Sequence, residues 1–412
     1  MPSSDPSTLR SARPPRSVAL GALVLAATLV LSGCAAEPPA NDELHGFVEG
    51  ASESPEPQLA LAELASDGTL MLRDLLTGEE REIAALDDAT TALTTDGRFV
   101  FASSPDPGSI TIVDTGVWTV DHGDHFHYYR GEPRVVGELA GPGEPTVHAG
   151  EALTTVRFED SGEVRVLDTH ALARGELIEL AALVGVASIA EAMPLGELLV
   201  LAGAEGVARV VSPDAATTEL ARAACPEPAG AIETRVGVVI GCADGAVLAT
   251  VDNSTGRVDL EHVPYPASTT AELRATAFDG RLGRPTVAAV AGTLGAWLLD
   301  TRERTWQLVP TEVPLLQVAA VDDVEEHVVA LAVDGRVLVF DAAGTQLAAT
   351  APLLEATLGT AAEIGVELTV DAQRAYLNAP GENVIHEIDY ADAARIARTF
   401  PARAAFFAET GR

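Results

Sequence analysis

From residue 58 onward the chain repeats a short run of alternating apolar residues that ends in aspartate. Most copies follow another apolar run and a turn, as in LTTDGRFVFASS. The eight copies are TLMLRD, SITIVD, EVRVLD, VARVVSPD, AVLATVD, GAWLLD, RVLVFD and VIHEID, which end at Asp74, Asp114, Asp168, Asp214, Asp252, Asp300, Asp341 and Asp389. Period-two alternation with regular turns and little helical pattern indicates an all-β chain. A spacing of about 45 residues with about four strands per repeat predicts a β-propeller.

Eight copies predict eight blades, with seven blades and one irregular hairpin as the alternative. The first repeat supplies only three strands, QLALAELA, TLMLRDLL and EREIAAL. We therefore expect the C-terminal segment ARAAFFAE to join the first blade and close the ring. The propeller domain is predicted to span residues 58–412. A pair of β-sandwiches would not require so even a period.

The N-terminus has the features of an export signal. Arg10, Arg13 and Arg16 precede an apolar run over residues 17–31. The last residue of the run, Leu31, begins the sequence Leu-Ser-Gly-Cys, which ends at Cys34. This run is too short for a stable membrane span and is typical of a signal peptide, predicted here at residues 1–33. The sequence Leu-Ser-Gly-Cys at residues 31–34 resembles the lipobox of bacterial lipoproteins. We expect Cys34 to be lipidated and to attach the protein to the outside of the bacterial membrane by its acyl chains alone. An ordinary secreted protein is the alternative.

Residues 34–57 are rich in Pro, Glu, Ser and Ala and lack an apolar period, so they are predicted to form a disordered tether. The chain has 61 acidic and 26 basic residues. Such a charge repels phosphate backbones and anionic lipids, which argues against nucleic-acid binding. We expect a monomer.

Besides Cys34, the chain contains two cysteines, Cys225 and Cys242. Outside the cytoplasm such a pair is expected to oxidise. A disulfide closing a loop of this size contributes about 3 kcal/mol in the chain-entropy model. Two buried free thiols are the alternative.

The run VDHGDHFHYYR, residues 120–130, contains three of the nine histidines. It lies where the distance between two repeats is 54 residues, so it is predicted to be an insertion between the third and last strands of the second unit. His125 and His127 point to one side of an extended segment. Gly123 permits a turn that brings His122 and Asp124 to them.

Imidazoles with a carboxylate suit Zn²⁺, and other divalent transition metals remain possible. Asp121 is expected to orient an imidazole. Trp118, Phe126, Tyr128 and Tyr129 are expected to pack the loop against the propeller. A polar loop whose histidines only form hydrogen bonds is the alternative.

His148 is a further candidate ligand because it begins the inner strand of the third unit. A purely structural histidine is an equal alternative. His45 lies in the tether and is weak evidence for a ligand. The remaining histidines lie in predicted turns or outer strands and are expected to be solvated; they are His170, His262, His327 and His386.

The order of these features resembles periplasmic zinc metallochaperones of the AztD type. The resemblance runs over roughly residues 58–400. It is carried by GVWTVDHGDHFHYY at 116–129, by Pro145 to His148, and by Cys225-Pro226 with Gly241 to Gly245. It implies a β-propeller that binds zinc and delivers it to the solute-binding protein of a zinc ABC importer.

This chain departs from the family pattern at two places. Leu183 and Val184 precede the Gly-Val-Ala stretch, where members of the family have histidine. Pro228-Ala229 follows Cys225-Pro226, where members of the family have a further histidine. If those histidines line the central channel in relatives, a channel site here has lost ligands.

We therefore expect a lipid-anchored zinc-binding protein that supplies an importer. The alternative is a metal-independent propeller that holds another envelope protein. We do not expect an enzyme, because the chain lacks a Gly-x-Ser-x-Gly elbow and a convincing acid–base set; Glu132, Glu144 and Asp160 are only nominal candidates.

Overall fold

The computed structural model describes residues 46–105, 108–123, 125–184, 189–215, 218–252 and 254–412. These residues form antiparallel sheets and one short α-helix, α1 (Thr169–Ala173), so the predicted all-β class is confirmed. Within these ranges, no helix is long and apolar enough to cross a bilayer. The predicted signal peptide, Cys34 and His45 lie outside the described residues and remain predictions.

Eight sheets follow one another along the chain. The first contains β2 (Ala60–Ala65), β3 (Thr69–Asp74), β4 (Glu80–Ala85) and the last strand, β34 (Ala404–Thr410). The second contains β5 (Ala92–Thr95), β6 (Phe99–Ser104), β7 (Ser109–Asp114) and β10 (Arg134–Ala140). The third contains β11 (Pro145–Ala149), β12 (Leu153–Phe158), β13 (Glu163–Asp168) and β14 (Glu179–Leu183). The fourth contains β15 (Ile189–Leu195), β16 (Leu198–Gly203), β17 (Val207–Val211) and β18 (Glu219–Ala224).

The second half continues the same order. The fifth sheet contains β19 (Ala231–Glu233), β20 (Val238–Cys242), β21 (Gly245–Asp252) and β22 (Arg257–Pro264). The sixth contains β23 (Thr286–Ala291), β24 (Gly295–Asp300) and β25 (Thr305–Pro310). The seventh contains β26 (Leu315–Ala320), β27 (Val328–Ala332), β28 (Val337–Phe340) and β29 (Gln346–Ala349). The eighth contains β30 (Leu368–Val370), β31 (Ala375–Ala379), β32 (Val384–Asp389) and β33 (Arg395–Pro401).

The repeated aspartate of the sequence has a structural role at the end of the strand that precedes the outer strand of a sheet. In Asp74 one carboxylate oxygen accepts the backbone N–H of Leu76 and of Thr77 at 2.8 and 3.0 Å. Asp252 and Asp300 accept the corresponding pairs of N–H groups in their own turns. A carboxylate that accepts the N–H groups of the following residues stabilises the turn to the outer strand of the sheet.

The core lies between successive sheets. Each sheet packs its apolar residues against the next one, as Phe101 of the second sheet does against Val156 of the third. The same holds along the whole order of sheets. The eighth sheet packs against the first, where Ile385 and Tyr376 meet Leu61. β34 also pairs with β2 through backbone hydrogen bonds, from Ala60↔Thr410 to Ala65↔Ala404.

Of these eight sheets, the sixth has three described strands and each of the others has four. In place of an inner strand, Asp279 forms a bridge with Ala288 and Gly280 forms one with Ala320 of the seventh sheet. Asp279 thus lies on the side of β23 that an inner strand would cover, and Gly280 connects it to β26.

The predicted disulfide between Cys225 and Cys242 is present, with their Cα atoms 5.0 Å apart. Both cysteines are fully buried, and Cys225 directly follows the outer strand of the fourth sheet while Cys242 ends β20 of the fifth. The bond therefore joins two neighbouring sheets.

Candidate metal centre

The histidine run forms a β-hairpin inserted between β7 and β10, and we call it the histidine hairpin. Its strands are β8 (Val117–Asp121) and β9 (Phe126–Arg130), paired from Val117↔Arg130 to Asp121↔Phe126. The insertion lies between the third and last strands of the second unit, as the repeat spacing predicts. Alternating apolar and aromatic residues on both sides of a short polar turn favour a hairpin over an irregular loop.

The turn of the hairpin brings its histidines together. The backbone N–H of His122 donates to the carbonyl of His125 at 3.0 Å, and Asp121 accepts the N–H of Gly123 at 2.6 Å. Gly123 has φ of 85°, which a residue with a side chain rarely adopts. Asp121 therefore supports the turn through the backbone, and its predicted role in orienting an imidazole stays a prediction.

Three imidazoles converge at this turn. One ligand nitrogen from each of His122, His125 and His127 lies within 4.8 Å of the other two. The ring centroids are 4.9–5.1 Å apart. His122 and His125 are exposed and His127 is half-buried, so a metal ion reaches the group directly from solvent.

The spacing of the nitrogens fits a zinc ion. The Nε2 atoms of His125 and His127 are 3.0 Å apart. Ligands at about 2.0–2.1 Å from a tetrahedral zinc ion are separated by roughly 3.3 Å, so a small movement of the rings is sufficient. Asp124, the predicted carboxylate ligand, lies outside the described residues.

A segment that precedes the propeller supports the site. Strand β1 (Ser52–Ser54) adds to the edge of β9, with Ser52↔Arg130 and Ser54↔Tyr128 as the outer pairs. The middle residue, Glu53, places its Oε1 atom 2.6 Å from Nδ1 of His127. A carboxylate accepts from Nδ1–H, which fixes the tautomer in which the lone pair of Nε2 in His127 can bind a metal ion.

This arrangement corrects one expectation. Residues 34–57 were predicted to be a disordered tether, but residues 46–57, here called the N-terminal arm, lie against the histidine hairpin. Backbone pairing to β9 supplies the stabilisation that the composition of the arm lacks. The indole of Trp118 also donates to the carbonyl of Gly46 at 3.2 Å, and the ring of Phe47 contacts that of Tyr129.

Aromatic residues hold the base of the hairpin. Trp118 and Tyr129 are buried and stack with their ring centroids 5.2 Å apart. The guanidinium of Arg98 lies 3.8 Å from the Trp118 ring and donates to both carboxylate oxygens of Asp114. The expectation for Phe126 is wrong, because 53% of this residue is exposed next to the turn.

Two further contacts fix the hairpin to the rest of the protein. Gly116 has φ of 76°, and an added Cβ would lie 2.6 Å from the carbonyl oxygen of Gly131, so the hairpin base requires glycine there. The hydroxyl of Thr119 donates to the carbonyl of Gly411 at 2.6 Å. The hairpin is thereby tied to the end of the last strand.

His148 does not belong to the cluster of the hairpin histidines. It lies in β11, the inner strand of the third sheet as predicted, and its Nε2 atom is 3.6 Å from Oε2 of Glu191. That nitrogen is buried without a hydrogen-bond partner, while the other oxygen of Glu191 accepts the N–H of Gly230 at 2.8 Å. One imidazole and one carboxylate are fewer ligands than a zinc cage requires.

The positions that depart from the family pattern lie in different surroundings. Leu183 is buried at the end of the outer strand β14, and Val184 is largely exposed. Ala229 donates its N–H to Gly241 and directly precedes Gly230, the residue that binds Glu191. Ala229 is therefore close in sequence to the His148–Glu191 pair.

The other described histidines are separate from this site. His170 is exposed, His262 contacts Asp244 and His386 contacts Thr399. The expectation that His327 is a solvated surface residue is wrong, since only 7% of it is exposed. It lies in the connection between β26 and β27, where a short acidic loop folds over it.

Comparison with solved structures confirms the propeller fold. The chain is similar to AztD from Citrobacter koseri, with a TM-score of 0.71 and 17% identity over 86% of this chain and 98% of that chain. The apo structure of that protein gives a TM-score of 0.70 with 18% identity and the same coverage. The dihydro-heme d1 dehydrogenase NirN, solved in complex with DHE, gives a TM-score of 0.57 with 15% identity over 87% of this chain and 76% of that chain.

These neighbours are β-propellers, and at such identities the likeness establishes the fold. No protein-family model and no curated protein sequence matches the chain.

Proposed function

We propose that this protein captures zinc outside the cytoplasm and passes it to the solute-binding protein of a zinc ABC importer. The observation that carries the proposal is the convergence of His122, His125 and His127 within 4.8 Å at the tip of the histidine hairpin. The resemblance to AztD-type metallochaperones, drawn from the same residues, supplies the recipient. The predicted fourth ligand is Asp124.

The site suits transfer better than permanent storage. Two of its three imidazoles are exposed, and the cluster is built from neighbouring residues of one turn. A zinc ion at such a site can leave by exchanging one imidazole at a time for the ligands of a recipient. Since Glu53 and the aromatic base hold the hairpin, the ligands are arranged before the metal arrives.

The location and the fold of the protein are part of the proposal. The disulfide between Cys225 and Cys242 supports an oxidising, extracytoplasmic compartment. We propose attachment to the membrane by lipid on Cys34. We also infer an eight-bladed ring closed by β34, because eight sheets pack in a cyclic order and β34 pairs with β2. Binding and delivery, and not catalysis, are the proposed activity.

Calorimetric titration of the mature chain with Zn²⁺ tests the proposal. We expect one tight equivalent that is lost when His122, His125 and His127 are all changed to Ala. His170→Ala, which removes an exposed histidine elsewhere, is the matched control and is expected to leave binding unchanged. Unaltered zinc binding by the triple variant would contradict the proposed site.

Delivery is tested separately by mixing the zinc-loaded protein with the importer's solute-binding protein. We expect zinc to appear on the recipient faster than spontaneous release allows. Capture of an envelope partner that is insensitive to a chelator, without zinc transfer, would favour the metal-independent scaffold.

A further inference from the structure

The connection between β26 and β27 contains a second group of metal-ligating side chains. Asp323, Glu325 and His327 each place one ligand atom within 4.8 Å of the other two. We propose that these residues, here called the acidic-loop site, bind a second divalent transition-metal ion. The proposal concerns residues other than the hairpin histidines and does not depend on the proposed function.

Two of the three ligands are held in place by the loop itself. Nδ1 of His327 lies 2.6 Å from Oδ2 of Asp323, and the backbone N–H of His327 donates to Oδ1 of the same residue at 2.8 Å. The loop is closed by a hydrogen bond from the N–H of Val321 to the carbonyl of His327 at 3.0 Å. The buried imidazole also contacts the ring of Tyr390, with the centroids 5.5 Å apart. A metal ion therefore meets an imidazole and a carboxylate whose positions are already fixed.

Glu325 supplies the third candidate ligand. A hydrogen-bonded Asp–His pair accounts for Asp323 and His327 without any metal. Glu325 is exposed and has no ion pair or hydrogen bond within the described part of the chain, yet its carboxylate lies close to both of them. A divalent cation bound between Glu325 and Asp323 would be attracted by both carboxylates.

The backbone on either side of the ligands is strained. Asp322 and Glu326 have φ of 51° and 55°, although neither is glycine. Residues with side chains rarely adopt this conformation, and those that do are concentrated at functional sites. The two strained residues place Asp323 and Glu325 on the same turn as the imidazole.

The acidic-loop site lies on the same face of the protein as the histidine hairpin. Connections from a first to a second strand and from a third to a fourth strand leave a sheet at the same end, because the strands alternate in direction. The base of the hairpin contacts Gly411 through Thr119, and the next residue, Arg412, contacts the carbonyl of Val370 at 3.4 Å.

The same series of contacts continues to the acidic loop. The hydroxyl of Tyr390 donates to the carbonyl of Asp371 at 3.3 Å, and the Tyr390 ring packs against His327. Both groups of ligands therefore lie on one side of the protein.

The donor set predicts a metal preference different from that of the hairpin. Two carboxylates and one imidazole are harder ligands than three imidazoles and suit Mn²⁺ as well as Zn²⁺. We expect the acidic-loop site to bind zinc more weakly than the hairpin and to be the principal site for Mn²⁺.

The test uses the full mature chain in which His122, His125 and His127 are all Ala, so that the hairpin cannot bind. Zn²⁺ titration by calorimetry and Mn²⁺ titration by electron paramagnetic resonance are expected to detect one remaining equivalent. Adding Glu325→Gln is expected to weaken that binding at least about tenfold. Because Glu325 is exposed and makes no described contact, the variant should keep the melting temperature of its parent.

Glu355→Gln is the matched control, since it removes the same charge from an exposed residue that is not part of the cluster. Its metal affinity is expected to equal that of the parent. Absence of any remaining equivalent in the hairpin-deficient chain overturns the proposal, and so does equal weakening by the two glutamine variants.

Discussion

Oε1 of Glu53 lies 2.6 Å from Nδ1 of His127, although 74 residues separate them in the chain. The contact joins a segment that precedes the propeller to the turn of the histidine hairpin, which carries the proposed metal ligands. It exists because β1 extends the sheet of the histidine hairpin by one strand. In the proposed zinc site, Glu53 therefore acts through His127, as a positioning residue.

Glu53→Gln is expected to weaken zinc binding about 10- to 100-fold, because an amide is a poorer acceptor for Nδ1–H and makes the imidazole less basic. Competition with a chromophoric chelator measures the change. Glu56→Gln removes the same charge from an exposed residue of the N-terminal arm and should have no effect. Equal affinities for the two variants would show that Glu53 does not position His127.

The contact between the first and eighth sheets is expected to be essential for stability. Leu61 of β2 is fully buried between the first and eighth sheets, so Leu61→Ala should lower the free energy of unfolding by about 2–5 kcal/mol. Denaturant unfolding followed by circular dichroism measures this. Leu76→Ala, at a leucine that is 54% exposed, should change it by less than about 0.5 kcal/mol. A similar small change for Leu61→Ala would contradict the packing of these two sheets.

Replacing both Cys225 and Cys242 by Ser is expected to destabilise the protein by about 3 kcal/mol, since the disulfide restricts the unfolded chain. The same denaturant measurement applies, and a reducing agent should lower the stability of the parent but not of the double variant. Zinc affinity should be unchanged because both cysteines lie outside the histidine hairpin. A reductant effect that persists in the double variant would mean that another group is responsible.

Stability is expected to decrease as the pH rises from about 5 to 7, and Glu367 is one cause. Desolvation, together with the negative charge of Asp279, raises the pKa of Glu367 to about 7, although this residue is exposed, so solvent screening reduces its effect on stability. Burial likewise raises the pKa of Asp279 to about 6. Both pKa values exceed those of the unfolded chain, so the folded protein binds more protons in this range and loses relative stability as these protons leave.

Glu367→Gln is expected to flatten this dependence, which melting temperatures measured at pH 5, 6 and 7 would reveal. Glu363→Gln, at an exposed residue of the preceding turn, should retain the slope of the parent. Parallel curves for the parent and Glu367→Gln would contradict the assignment.

Features that depend on local pattern could be read from the sequence. The period-two alternation marks the strands, and the aspartate that ends each repeat marks the turn that its own carboxylate stabilises, as in Asp74. The excess length between Asp114 and Asp168 located the inserted hairpin. The cysteine pair was predictable because two cysteines remain after Cys34.

Long-range contacts were not predictable in the same way. The N-terminal arm has a composition typical of a disordered segment, and only an available strand edge on β9 orders it. The sequence predicts His327 to be a solvated turn residue, but packing against Tyr390 buries it. The inner strand missing from the sixth sheet is replaced by Asp279 and Gly280, which carry no strand pattern.

The sequence by itself determined the type of fold, the order of its strands and the histidines of the hairpin, because each follows from residues close together in the chain. Only the tertiary structure decided that Glu53 supports His127 and that Asp323, Glu325 and His327 form a second cluster. Those relationships arise when edges and loops from separate sheets meet, and no periodicity along the chain records which edge a segment will pair with or which ring will cover a side chain.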